Sequence, residues 1–267
     1  MQRLLLIVLP LLFLSIGVSQ NRVNVNNLVK YGDKYFKEND DRPFNGIVFD
    51  MSKETGNKIL EYKMVDGLKN GLYQEWYSEG KPKSKGKYLN NTRVRNWTEW
   101  YENGQKRLEG LLENGIGLFT QWYENGQKSS EGTFKYEKKD GLWTYWEYNG
   151  QKESQISYKD GELISKKEYL YWSNGRMKTE TNYRFDLIDG QKTFWYETGE
   201  KKYEGNYIKG KPDGFWISWH GNGKKKYEGN YKSGFQNGVW KYYGLDGVIN
   251  LEEKYDNGHL ISTKKLN

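Results

Sequence analysis

Few side chains in this chain could do chemistry. There are two histidines, His220 and His259, and no cysteine. The lack of Cys excludes a thiolate nucleophile, a thiolate zinc site, a disulfide framework and a lipid-modified cysteine anchor. His220 stands where Tyr77, Tyr101, Tyr123 and Tyr196 stand at equivalent positions, so it reads as one ring of a row and not as a general base. His259 follows Asn257-Gly258 and has no acidic or nucleophilic neighbour to work with. The aspartates cluster beside glycines, where they serve turn geometry. The glutamates recur periodically, whereas glycoside hydrolysis needs two non-repeating acids facing one cleft. Gly210-Lys211 and Gly223-Lys224 lack the remaining residues and the strand-to-helix setting of a phosphate loop. With no asymmetric constellation, the sequence reads as a non-enzyme, with no cofactor and no metal expected.

Composition says what kind of element carries these residues. The 267 residues include no Ala, 31 Gly, 11 Trp and 23 Tyr. The best helix former is missing and one of the worst is abundant, which makes a helix-rich domain improbable. After residue 19 only 44 residues are Leu, Ile, Val or Phe, a level that by itself would warn of disorder, yet the aromatic content is the opposite of a disordered chain. A thin fold whose buried surface is mostly rings reconciles the two. Net charge is +7, from 42 Lys+Arg against 35 Asp+Glu. Both signs are interspersed, which argues against a nucleic-acid partner.

Arg3 precedes the apolar run Leu4 to Val18, interrupted by Pro10, and Ser19-Gln20 leads into polar sequence. Residues 1–19 read as a signal peptide cut after Ser19, since the run is too short to span a bilayer. The chain is expected to be exported, to the periplasm, the cell surface or the medium, with a mature charge of 7 − 1 = +6 after loss of Arg3.

Internal repetition dominates the rest. Gly56, Gly80, Gly104, Gly126, Gly150, Gly175, Gly199, Gly223 and Gly247 are 24, 24, 22, 24, 25, 24, 24 and 24 residues apart. Asn precedes several of them, and Asn-Gly marks a tight hairpin in which both central residues take positive φ. Between these turns lie Lys139-Asp140-Gly141, Lys159-Asp160-Gly161, Ile188-Asp189-Gly190, Lys209-Gly210, Gln236-Asn237-Gly238 and Asn257-Gly258, read as the second turn of each unit. Two turns per 24 residues leave segments of strand length, so each unit is a β-hairpin and the array a meander. Four residues before the turn Gly stand Trp76, Trp100, Trp122, Trp146, Tyr171, Trp195, Trp219 and Tyr243; seven before it stand Tyr73, Trp97, Phe119, Trp143, Glu168, Lys192, Trp216 and Trp240. These two rows differ by an odd number and face opposite sides. Six after the turn come Gly86, Gly110, Gly132, Gly205 and Gly229, with Ile156, Thr181 and Glu253 as exceptions, and indoles of the preceding strand are expected to fill the space these glycines leave. The sixth copy, with its extra residue, and the Asn90-Asn91-Thr92-Arg93 exit of the second are expected to bulge or bend.

The segments Gly117 to Phe134 and Gly214 to Gly234 follow Gly-x-Trp-x-x-Trp-Tyr-x-Asn-Gly-Gln-Lys-x-x-Glu-Gly-x-Tyr-x-x-Gly nearly whole, and in these residues the chain resembles the MORN repeat in its bacterial variant form, often labelled antitoxin-like. The resemblance implies an all-β, elongated, twisted, mostly single-layer antiparallel meander of about nine hairpin repeats over residues 46–267. It implies no catalytic activity. Residues 20–45 form an N-terminal cap, in which Leu28-Val29-Lys30-Tyr31 and Lys34-Tyr35-Phe36 suit a short hairpin. The expected role is a non-catalytic scaffold whose partner is another protein. Weak contact with an anionic membrane surface and carbohydrate binding through the aromatic rows are the alternatives. An antitoxin-like partnership with a toxin is a further, weaker alternative, since the label implies a cytosolic toxin, which conflicts with export. Trp143, Tyr145, Trp216, Trp240 and Tyr242, with Tyr196 and His220 beside them, are expected to form the binding face. The Trp122, Trp146, Trp195 and Trp219 row, with Leu118, Leu142, Phe215 and Val239, is expected to be the better packed side.

Overall fold

A computed structural model describes residues 21–113 and 115–266; the expected signal peptide lies outside them. Contacts divide the chain into two units, Met1–Gly80 with Tyr88–Thr92, and Lys81–Lys87 with Arg93–Asn267. Among the described residues there is no α-helix, only strands and one 3₁₀ turn at Val25–Asn27, as the missing Ala and plentiful Gly require.

The first unit holds what aliphatic core the chain has. The strand Arg22–Asn24 runs parallel to Gly46–Met51, which pairs antiparallel with Lys58–Val65 and that in turn with Leu68–Trp76. Leu28–Tyr31 and Lys34–Lys37 form a separate two-stranded hairpin. Val23, Phe44, Val48, Tyr62 and Met64 are buried together, with Leu28, Tyr35 and Tyr73 packed against them. Three-residue Arg22–Asn24 and its parallel pairing break the hairpin pattern, and no sequence signal marks them.

The second unit is a meander in which the strands from Thr92–Trp100 to His259–Lys265 each pair antiparallel with the next in sequence. Its two kinds of turn differ from the sequence expectation. At the Asn-Gly turns of the 24-residue series only glycine has positive φ, as at Gly104 (88°), Gly126 (82°) and Gly223 (82°). The Asn has two other jobs. Its side-chain oxygen accepts from the N–H two residues on (Gln105 to Asn103, 2.9 Å), and its amide donates to a carbonyl in the next turn along: Asn103 to Glu124, Asn125 to Tyr148, Asn174 to Glu197 and Asn222 to Leu245, at 2.8–3.0 Å. The residue three before the glycine makes a second ladder beside it. Tyr101, Tyr123 and Tyr196 donate their hydroxyls to the carbonyls of Trp122, Trp146 and Trp219.

The two-residue turns with both φ positive lie at the other edge, at Tyr136-Glu137, Asp160-Gly161, Phe185-Asp186, Lys209-Gly210, Ser233-Gly234 and Asn257-Gly258. Lys139-Asp140-Gly141, Ile188-Asp189-Gly190 and Gln236-Asn237-Gly238 are therefore not turns but lie inside the strands Lys138–Trp146, Leu187–Trp195 and Phe235–Tyr243. There they form bulges, with register shifts at Glu131/Thr133, Thr181/Tyr183 and Glu228/Asn230. The acidic or amide residue of the bulge accepts from the next turn's backbone: Asp213 from Ser233 (2.8 Å), Asp189 from Lys209 (3.3 Å). Bulges thus recur through the array and are not confined to the two irregular copies. Asn90-Asn91 is itself a turn with both φ positive.

The glycine row explains how so thin a fold holds rings. A Cβ added at Gly86, Gly132, Gly205 or Gly229 would lie 2.0–2.3 Å from an indole carbon of Trp97, Trp143, Trp216 or Trp240, and at Gly110 it would lie 2.4 Å from Phe119. The ring comes from the following strand, not the preceding one, and from the row seven before the turn. Each of these rings is buried. Tyr207 and Tyr231 meet Trp216 edge-on at 5.2 and 5.4 Å, and Phe134 and Tyr231 do the same to Trp143 and Trp240 at 4.9 Å. The indole N–H groups of Trp143, Trp216 and Trp240 donate to the carbonyls of Thr133, Asn206 and Asn230 at 3.0–3.1 Å, so no buried donor is left unpaired.

Gly132→Ala is expected to lower stability by about 1–3 kcal/mol, the usual cost of overpacking. Gly221→Ala, where an added Cβ meets nothing within 4 Å, should change it little. Urea unfolding of the two variants checks this; equal midpoints would remove the packing role of the glycine row.

Candidate interaction surface

Strand alternation groups the predicted binding residues correctly but puts them on the packed side. Trp143 (2% exposed), Trp216 and Trp240 are the buried rings of the glycine row. Tyr145 and Tyr242 lie on the same face, half-buried, Tyr145 stacked at 6.2 Å from Trp143 and Tyr242 tilted against Tyr227 at 6.3 Å. Tyr196 and His220 belong to the turn ladder, Tyr196 by its hydroxyl and His220 by an Nε2 contact of 3.1 Å to the Tyr243 carbonyl. His220 thus does the structural work of the tyrosines it replaces. The expectation that these residues form the exposed face is corrected: a missing Cβ makes room only on its own side, so the face bearing the glycines buries the rings.

The opposite face is the open one. Leu118, Leu142, Phe215 and Val239, expected to pack, are each about half exposed, at 53%, 56%, 53% and 48%. Beside them run lysine–glutamate pairs two and five after the turn: Lys106–Glu109, Lys128–Glu131, Lys201–Glu204 and Lys225–Glu228, at 2.5–2.8 Å. The same lysines sit 5.7–5.9 Å over Trp122, Trp146, Trp219 and Tyr243. The hydrogen bond from Lys128 holds the Glu131 carboxyl below its usual range. Burial works against ionisation of Glu228, but the hydrogen bonds from Lys225 and Tyr243 prevail and lower it. Desolvation and the Glu228 hydrogen bond push the Tyr243 hydroxyl up to about 12.

One stretch departs from this pattern on both faces. The strand Glu162–Tyr171 has Lys166 facing Ile156, and Leu187–Trp195 has Lys192 facing Thr181, where other copies pair an indole or Phe119 with glycine. On the packed face Glu168 accepts from Lys166 at 2.7 Å and from the Tyr183 hydroxyl at 3.3 Å. That hydrogen bond raises Lys166 above its ordinary value, as the bond to Glu180 raises Lys167. On the open face a cavity of about 480 Å³ is lined by Ser157, Ser165, Lys167, Asn182, Arg184 and Gln191, among others. Sequence reasoning missed this site. Its signal stood in the rows themselves, because the exceptions Glu168 and Lys192 and the exceptions Ile156 and Thr181 fall in the same two copies. Among the described residues no group of three or more His, Cys, Asp or Glu is placed to hold a metal ion.

Five segments, 69–90, 116–136, 139–160, 188–209 and 212–233, match the family model described as MORN repeat variant. In these five segments, which cover less than half of its length, the chain is similar to MORN-variant repeats. Residues 161–187, which carry Lys166, Glu168 and Tyr183, fall between two of the matched segments, as do residues 91–115. Among curated proteins none matches. Of solved structures, a chain of the Photorhabdus luminescens Tc holotoxin pore is similar at 13% identity over 82% of this chain, with a TM-score of 0.20. The present chain spans only 13% of the length of that chain, and so poor a superposition carries no argument.

The packed rings predict an alkaline limit for the array. Burial raises Tyr203, Tyr207 and Tyr231 above the ordinary value of 10.0. The folded state keeps these protons where the unfolded chain sheds them, so the stabilisation is complete below pH 10 and is lost as pH rises through the higher folded values. Tyrosinate absorbance should therefore rise late and together with loss of β circular dichroism. Titration of all tyrosines at their ordinary value with the fold intact would contradict the burial of the rings.

Proposed function

We propose that the array is a non-catalytic scaffold, exported to the cell envelope or beyond, that presents its open face to another protein. The observation carrying this reading is the row Leu118, Leu142, Phe215 and Val239. Four apolar side chains occupy one repeat position, half exposed, on a face whose charges are already paired. Apolar residues in register on rigid strands suit a protein surface. Lysines neutralised by their own glutamates give little attraction to anionic lipid, which weakens the membrane-surface reading. The indoles on which carbohydrate binding through aromatic rows would depend are packed or covered by lysines.

The test is capture from envelope extract by the mature chain, beside a variant carrying Leu118→Ser, Leu142→Ser, Phe215→Ser and Val239→Ser. A specific protein retained by the first and lost by the second, with unchanged urea midpoints, is the expected result. Identical captured sets, or recovery of the native protein from the cytosol with residues 1–19 still attached, would overturn the reading.

A further inference from the structure

We propose that the open-face cavity between Leu142 and Gln191 is a binding site for an uncharged saccharide. The site is built by a local failure of the repeat. At the eighth position before the turn the strands on either side carry Leu118, Leu142, Phe215 and Val239, and Thr92–Trp100 carries Asn96, whereas here that position holds Lys167 and Gln191. Ser157 faces Ser165 directly across the strand pair and faces Leu142 on its other side, so two small hydroxyl side chains form a floor where Asn230 faces Asn237 in a later copy. The resulting cavity, about 480 Å³, lies within the roughly 300–1,000 Å³ typical of ligand pockets. Behind it, on the packed face, the same two copies have exchanged the glycine and indole for Ile156 with Lys166 and for Thr181 with Lys192. Both faces depart together in residues 156–192, at and around a stretch the family pattern does not match.

The lining selects the class of ligand. Lys166 and Lys167 are paired with Glu168 and Glu180 at 2.7 and 2.5 Å, and Arg184 is balanced by Asp189 in the same lining. With both lysines held by carboxylates outside the lining and Asp189 beside the remaining Arg184, no cluster of unopposed cations is left to draw an anion. Leu142 alone is apolar in the lining apart from the Tyr183 ring and stems of charged side chains, which is too little for an apolar ligand. A peptide strand has nothing to pair with, because the backbone of these strands is engaged by the neighbouring strands on both sides. What remains is neutral hydrogen-bonding capacity: the hydroxyls of Ser157 and Ser165 and the amides of Gln155, Asn182 and Gln191. A primary amide offers donors and an acceptor in one plane, as a sugar's neighbouring hydroxyls require. Two of these amides are already oriented. Gln155 accepts from the Tyr169 hydroxyl at 2.7 Å and donates to Thr144, and Asn182 donates to the Gln191 carbonyl at 2.5 Å. Groups held on strands by neighbours lose little freedom on binding.

The experiment is a screen of the full mature chain against neutral oligosaccharides (glucans, galactans, mannans and chitin fragments), with galacturonate oligomers and inorganic phosphate as anionic arms, followed by calorimetry on any hit. Binding of a neutral saccharide is expected, weakened about tenfold by Gln191→Ala, the loss of one to two neutral hydrogen bonds. Ser165→Phe, which fills the floor, should abolish it, and Leu118→Ser should leave it unchanged. Gln191 is exposed, so its variant keeps the array folded, and urea midpoints verify this. Binding of the anionic arms alone, saccharide binding indifferent to both cavity variants, or no binding in any arm would each overturn the proposal. The four-serine variant reads the protein-partner surface separately, so the two readings fail independently.

Discussion

The structure depends on one contact, an aromatic ring laid flat on a glycine of the neighbouring strand. A meander whose strands meet only their sequence neighbours has no second layer to cover its rings. Each ring must be buried by its own sheet, and only a residue without Cβ lets it approach closely enough. Glycine within a strand costs about 0.5–1 kcal/mol in backbone entropy. Burying a large apolar side chain returns about 1.5–3 kcal/mol, and edge-on ring partners add to that. The balance favours the exchange, and it accounts for a composition with 31 Gly and 11 Trp but no Ala. It also sets the polarity of the sheet, since the face with glycines buries and the other is left open.

The edges follow a second rule: a turn residue is selected for what it offers the next turn. Asn103, Asn125, Asn174 and Asn222 each bond forward, and Asp189 and Asp213 accept from the turn that follows. No copy can satisfy these groups alone, so stability is shared between neighbours in the manner of other one-dimensional arrays. His220 in place of tyrosine keeps the ladder because its Nε2 reaches the same kind of carbonyl. His220 is thereby a structural member of the turn ladder.

The repeat, the hairpins and the membership of each face were legible in the sequence, because strand periodicity is fixed and glycine spacing is not easily mimicked. Which face is packed was not legible. Trp143 and Trp146 are the same residue type three positions apart, and only the three-dimensional neighbour, Gly132, distinguishes them. Turn chemistry misled for a related reason. Asn-Gly satisfies two different turns locally, and the partner that decides between them, such as Glu124 for Asn103, lies 21 residues away. Asp140-Gly141 reads as a turn but is a bulge, since either needs a positive φ at glycine. The parallel strand Arg22–Asn24 is three residues long and carries no pattern to find.

The polar interruption is the one place where the array gives up its main source of stability. Replacing a buried indole by the half-exposed Lys166–Glu168 pair exchanges about 1.5–3 kcal/mol of apolar burial for an ion pair worth about 0–1 kcal/mol. The exchange happens in adjacent copies, and on both sides of the contact: glycine is absent wherever the ring is absent. A sequence drifting one residue at a time would leave glycines facing lysine or rings jammed against Thr181, and neither is seen. The two halves of the lock were replaced together, and the open face above them became a polar cavity in the same strands. Local departures from an otherwise consistent pattern mark the places where folding requirements have yielded to something else. In this protein that something is argued to be a ligand, because the departure does more than weaken the sheet: it arranges oriented amides and hydroxyls around a space large enough to hold one.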